Sequence, residues 1–174
     1  LIAEFARQGK TCYFYSLEES PMSILRKFKN DPPRFWINEN MGYVVDYNIY
    51  PEHTRKTIKE MVGNFPSERL KLLYLDIIGM KAEGNKPDFI FIDFFHKLLP
   101  TNVGPGTDVY LLVAECLQTL VNTEHICIFV VNHDVKSAYN KRESSLADVR
   151  DSNWITSAAR IVLSIKRPKD NAGK

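Results

Sequence analysis

No apolar run in these 174 residues reaches the length of a membrane-spanning helix, and no secretory leader is visible. Both absences point away from a helical membrane protein and toward the cytoplasm. Cysteine is scarce. Cys12, Cys116 and Cys127 are an odd set without metal-ligand spacing. That argues against a disulfide framework or a zinc site and for buried, reduced thiols in a cytoplasmic protein. Internal repeats and low-complexity tracts are also missing. Leu1 opens the chain inside a helical pattern and without a methionine, so further residues are expected upstream.

The composition fits one domain over residues 1–174. It is 44% hydrophobic and 25% charged, ordinary for a globular chain long enough to bury a core. The net charge of +2 is unevenly spread. From Asp134 to Lys174 nine Lys and Arg face five Asp and Glu, which leaves the remainder at −2. A basic C-terminal third is compatible with phosphate or nucleic-acid contact, and equally with a solvated surface.

A complete phosphate-binding loop, G-x-x-x-x-G-K-[ST], is lacking as well. Gly9-Lys10-Thr11 reproduces its last three letters, but Glu4 stands where its first glycine belongs. The order of elements is also reversed. The motif follows a strand and opens a helix, whereas "LIAEFARQGK" is itself helical, with Leu1, Ile2, Phe5 and Ala6 on one side. Gly9 therefore reads as the residue that ends a helix, and "TCYFYSL" as the strand that follows.

Five short apolar runs are strand-like: "TCYFYSL" (11–17), "LKLLYLD" (70–76), "DFIFIDFF" (88–95), "ICIFVVNH" (126–133) and "ARIVLSIKR" (159–167). Their continuous apolar character suits strands covered on both faces of a parallel sheet. Helical patterns lie between them. "SPMSILRKFKN" has Ser20 as N-cap and Pro21 in the first turn. "PEHTRKTIKEMVGNF" is a second, and "DVYLLVAECLQTLVNT", capped by Asp108, is a third. Pro32-Pro33 opens a poorly patterned, irregular stretch from about 30 to 50. Strands alternating with helices predict a doubly wound α/β fold, whose chemistry gathers at the carboxyl ends of the strands.

The first strand ends in Ser16-Leu17-Glu18-Glu19-Ser20. Glu18 could activate water as a general base or could be a plain surface carboxylate; Glu19 reads as a favourable charge before a helix N-terminus. "FIFID" has the form of a Walker B element, with Asp93 holding the water shell of Mg²⁺. The competing reading is an aspartate that caps a turn, and His96 beyond it reads as packing. His133, in Asn132-His133-Asp134, could hydrogen-bond a γ-phosphate. A binuclear metallophosphoesterase would use such an Asn-His pair, but its early D-x-H and its G-D-x-x-[DN] are absent. Lys136, Lys141 and Arg142, with Tyr139 among them, have the composition of a loop that grips single-stranded nucleic acid, or of a mobile surface loop. Lys166 and Arg167 end the last run and could reach a phosphate on a neighbouring subunit.

In this order the elements resemble the RecA-like motor domain of hexameric replicative helicases, the DnaB family and the phage primase-helicases. Ser16-Leu17-Glu18 matches the family's "SLE", "FIFID" its Walker B, and "LADVRDSNWITSAARIVLSIKR" (146–167) its "SDLR…AD" block. The resemblance implies a RecA-like, mostly parallel sheet in a three-layer α/β/α sandwich. It implies an enzyme that couples ATP hydrolysis, with ATP and Mg²⁺ as cofactors, to translocation on single-stranded DNA as a ring, expected to be a hexamer. Carried over residue by residue, Glu18 is the catalytic base, Asp93 the metal and nucleotide aspartate, and His133 the phosphate sensor of the phage type. Arg167, with Lys166 second, is the arginine finger. Arg150 joins Lys136, Lys141 and Arg142 on the DNA side. The family's P-loop is expected upstream of Leu1.

Asn153 and Ala159-Arg160 depart from the family's glycine and Ala-Asp, and "SAARIVLSIKR" is closer to RecA-like ATPases of plasmid replication proteins. An ATPase of a plasmid or mobile element that does not unwind DNA is therefore the second reading. A RecA-like core without catalysis, serving binding or assembly, is the third.

Overall fold

The computed structural model describes residues 2–27, 35–37, 47–101, 108–132 and 161. Helix α1 (Ile2–Arg7) leads into strand β1 (Cys12–Ser16), and α2 (Pro21–Lys27) leads toward the three-residue strand β2 (Phe35–Ile37). Helices α3 (Glu52–Asn64) and α4 (Glu68–Ala82) precede β3 (Phe89–Asp93). A 3₁₀ turn at Phe95–Leu98, helix α5 (Val109–Glu124) and strand β4 (Cys127–Val131) complete the described elements.

All described strands are parallel, in the order β2-β1-β3-β4. An α/β fold is thus what these residues form. Parallel strands need both faces covered, because each crossover lays a helix on the sheet. Tyr13, Tyr15, Ile90 and Ile92 point to one face, where α4 and α5 bury Leu70, Leu73, Tyr74, Ile77, Val113, Leu117 and Leu120 against them. Cys12 and Phe91 point to the other face and pack with Ala6 and Phe5 of α1. There Phe5 stacks on Phe89 at 4.3 Å between ring centroids, and Phe91 on Phe129 at 4.9 Å.

The structure settles the Gly-Lys-Thr question. Gly9 has φ +79°, its N–H donates to Ala6 C=O, and Lys10 N–H reaches back to Phe5 C=O. This pair of bonds closes a helix on a left-handed glycine. Thr11 is buried at the amino end of β1, where its N–H donates to Asp88 Oδ2 at 2.8 Å. Five residues of strand, roughly 16 Å, separate it from the carboxyl edge of the sheet.

Four sequence expectations change. The run "LKLLYLD" lies inside α4 and is not a strand. Ser67 accepts the N–H of Leu70 as N-cap, and the helix closes at Gly84 (φ +77°) through Asn85 N–H to Met80 C=O. The apolar character continues through Ile77, Ile78 and Met80, longer than a strand needs, so the run is the buried side of a 15-residue helix. The stretch from 30 to 50 holds β2 and a 3₁₀ turn at Tyr47–Ile49. Asp108 starts α5 with its carbonyl, which accepts Leu112 N–H, and makes no side-chain cap. Ser20 does cap α2, accepting the N–H of Ser23 at 3.3 Å. Of the three thiols only Cys12 is fully buried; Cys116 is half-buried and Cys127 exposed.

Candidate active site

Strand β1 is central, and the chain leaves it in one direction and returns in the other. It first crosses through α2 to β2 on one side, then through α3 and α4 to β3 on the opposite side, then through α5 to β4. Loops leaving the carboxyl ends of β1 and β3 therefore diverge. In a parallel sheet this switch point opens the crevice where ligands sit.

Two of the candidate residues stand at that crevice. Ser16 and Asp93 are register partners at the last rung between β1 and β3, and Asp93 is level with Val131 of β4. Leu17 N–H donates to Asp93 C=O at 2.9 Å, which carries the pairing one residue past β1. Glu18 comes next and is exposed on the rim, while the Asp93 side chain is half-buried. The apolar residues that precede each acid explain this placement. Tyr13, Tyr15, Ile90 and Ile92 anchor the strands in the core, so each acid emerges where the sheet ends.

Glu18 and Glu19 part company in the structure. The Glu19 carboxylate accepts the Ser23 hydroxyl at 2.9 Å and pairs with Lys27, both on α2. The Lys27 bond first, then that of Ser23, hold its carboxyl below the usual range. Glu19 is thus committed to the start of α2, as expected, and Glu18 is the acid presented to the rim. Ser16, which entered only as part of the "SLE" triplet, is a further participant. Its buried hydroxyl donates to Glu19 C=O at 3.0 Å and accepts Glu19 N–H at 3.3 Å. The signal was a hydroxyl residue three positions before an acid at a strand end, which forms such a turn.

The far side of the rim is braced from α4. The Tyr15 hydroxyl donates to Arg69 C=O at 2.9 Å, and Arg69 Nη1 donates to Lys97 C=O at 2.7 Å in the turn after Asp93. Burial raises the Tyr15 hydroxyl pKa well above its usual value, so it stays a donor. His96 lies edge-on to the Tyr110 ring at 5.5 Å, in keeping with its reading as a packing residue.

The donors on this rim are hard oxygens, the Asp93 and Glu18 carboxylates; the Ser16 hydroxyl is buried and taken up by the Glu19 backbone. That set fits a Mg²⁺ that keeps several waters. Among the described residues no three His, Cys, Asp or Glu side chains are grouped so as to cage an ion directly. His133, Lys136, Lys141, Arg142, Arg150, Lys166 and Arg167 lie outside the described residues. Lys10 is at the opposite edge of the sheet and takes no part in the crevice. No described helix is long and apolar enough to cross a membrane. No family model matches the chain, and no curated protein matches it either.

Proposed function

We propose that the chain is the ATP-hydrolysing motor domain of a DnaB-like replicative helicase, with the RecA-like three-layer fold of that group. The observation that supports it best is the pairing of Ser16 with Asp93 at the switch point, with Glu18 two residues on. A base and a metal-orienting aspartate just beyond or at the ends of adjacent parallel strands suit phosphoryl transfer to water. In this reading Glu18 takes the proton of the attacking water. Asp93 orients the water shell of Mg²⁺, which when bound neutralises charge on the phosphates. His133 donates to the γ-phosphate, and Arg167, seconded by Lys166, reaches the nucleotide of the adjacent subunit. Lys136, Lys141, Arg142 and Arg150 contact single-stranded DNA, and the subunits assemble as a ring, in the cytoplasm. Gly9-Lys10-Thr11 closes α1 at the wrong edge of the sheet, so it does not supply the phosphate cradle in this reading.

Glu18→Gln in the full-length protein should bind ATP as the wild type does and lose turnover by about a hundredfold or more. Unchanged turnover would remove Glu18 from the mechanism. Hydrolysis stimulated by single-stranded DNA, with strand displacement from a fork, is expected of the helicase. Ala158-Ala159-Arg160 favours a second reading, a plasmid or mobile-element ATPase. ATP turnover indifferent to DNA would select it.

A further inference from the structure

The turn that carries Glu18 is pinned on both sides of that residue. Before it, Leu17 N–H is tied to Asp93 C=O. After it, both the N–H and the C=O of Glu19 bond to one atom, the Ser16 hydroxyl oxygen. Ser16 is only 6% exposed, so water does not readily replace those bonds. Capping of α2 does not explain the arrangement, because Ser20 performs it. Nor does the Glu19 side chain, which is turned toward Ser23 and Lys27. What the Ser16 hydroxyl does fix is the course of the backbone through residues 17 to 19. A group that both donates and accepts is needed there, and alanine can do neither.

We infer that Ser16 is a positioning residue for Glu18: its hydroxyl holds the Leu17–Glu19 turn, and with it the carboxylate beside Asp93. The inference rests on the reading of Glu18 as general base. An exposed carboxylate on an untethered turn would sample several backbone conformations, and an error of about 1 Å at a reacting group costs up to a hundredfold in rate.

The test measures kcat and nucleotide affinity of the full-length protein for Ser16→Ala, Ser16→Thr and Ser16→Val. Ser16→Ala is expected to lower kcat about tenfold or more with nucleotide affinity unchanged. Thr and Val have nearly the same shape, so higher kcat in Thr than in Val isolates the hydroxyl from any strain the added methyl introduces. The decisive arm puts Ser16→Ala into the Glu18→Gln background and follows a single turnover. A residue that acts only through Glu18 causes no further loss once the carboxylate is gone. Wild-type kcat in Ser16→Ala, equal rates for Thr and Val, or an undiminished loss in the Glu18→Gln background would each overturn the proposal. A fully active Glu18→Gln protein is a separate outcome, which overturns the base assignment itself.

Discussion

Tyr13 donates its hydroxyl to Asp76 inside the core, where the carboxylate is 5% exposed. A buried polar group is tolerated only while hydrogen bonds replace its lost water. Tyr13→Phe removes one donor and should lower the unfolding free energy by about 2 kcal/mol. A denaturant melt reads this, and an unchanged midpoint would mean that the hydroxyl is dispensable to Asp76. Lys81 serves Glu124 in a similar way at 3.0 Å, with the carboxylate buried and the lysine half exposed. Cys12 shows the same physics in a thiol. Burial first, then the nearby Asp88 charge, push its pKa up to about 11. At pH 8 it is therefore a thiol and not a nucleophile. A maleimide should leave Cys12 unmodified in the folded protein and label it on unfolding, as peptide mapping would reveal. Labelling of folded protein at the rate of a free thiol would contradict this. None of these pairings is visible in the sequence, since Tyr13 and Asp76 are 63 positions apart.

At the scale of elements, start and stop residues were the most legible features. Ser20 and Pro21 begin α2, and Gly9 ends α1 in a left-handed conformation, each as its residue type prescribes. The apolar run of α4 has the look of a strand when separated from its flanks. Ser67, Glu68 and Gly84 mark a helix on either side of it. Ser67→Ala should cost about 1 kcal/mol, since the buried Leu70 N–H loses its acceptor. A shift of the denaturation midpoint with unchanged slope would report it, and no shift would assign the cap no weight. Glu19 makes the start of α2 sensitive to pH. Its carboxyl is held below the ordinary value of 4.5, so its contribution is present above that value and fades as pH falls below it. Asp108 is a counterexample to reading caps by letter alone. Its φ and ψ of −58° and −13° are already helical, which takes the side chain away from cap geometry.

For the whole molecule, the ring mechanism proposed above would make hydrolysis a property of subunit pairs. Arg167→Ala alone should abolish hydrolysis, and so should Glu18→Gln alone. Mixed together they should recover part of it, because an intact Arg167 then meets an intact Glu18 at some interfaces. Recovery is read as phosphate release against mixing ratio, and an active pure Arg167→Ala protein would rule out the finger. Strands β1, β3 and β4 and the acids that follow their apolar runs were readable from residue order, whereas "LKLLYLD" is helical, β2 lies in the stretch that reads as irregular, and "ARIVLSIKR" lies, but for Ile161, outside the described residues. The apolar run of β3 closes on Asp93 where the sheet ends, whereas the run closed by Asp76 stays buried in α4. Sheet order was not readable, because parallel neighbours are joined through crossovers and any order satisfies the same local pattern. Only the tertiary structure decided that β1 lies between β2 and β3. Only it put Ser16 level with Asp93, sent Glu19 to Lys27 and left Glu18 on the rim. Hydrophobic pattern is a local property of the chain and located most of the described elements. Which strand ends meet depends on how distant helices pack, and burial over the whole sheet settled it.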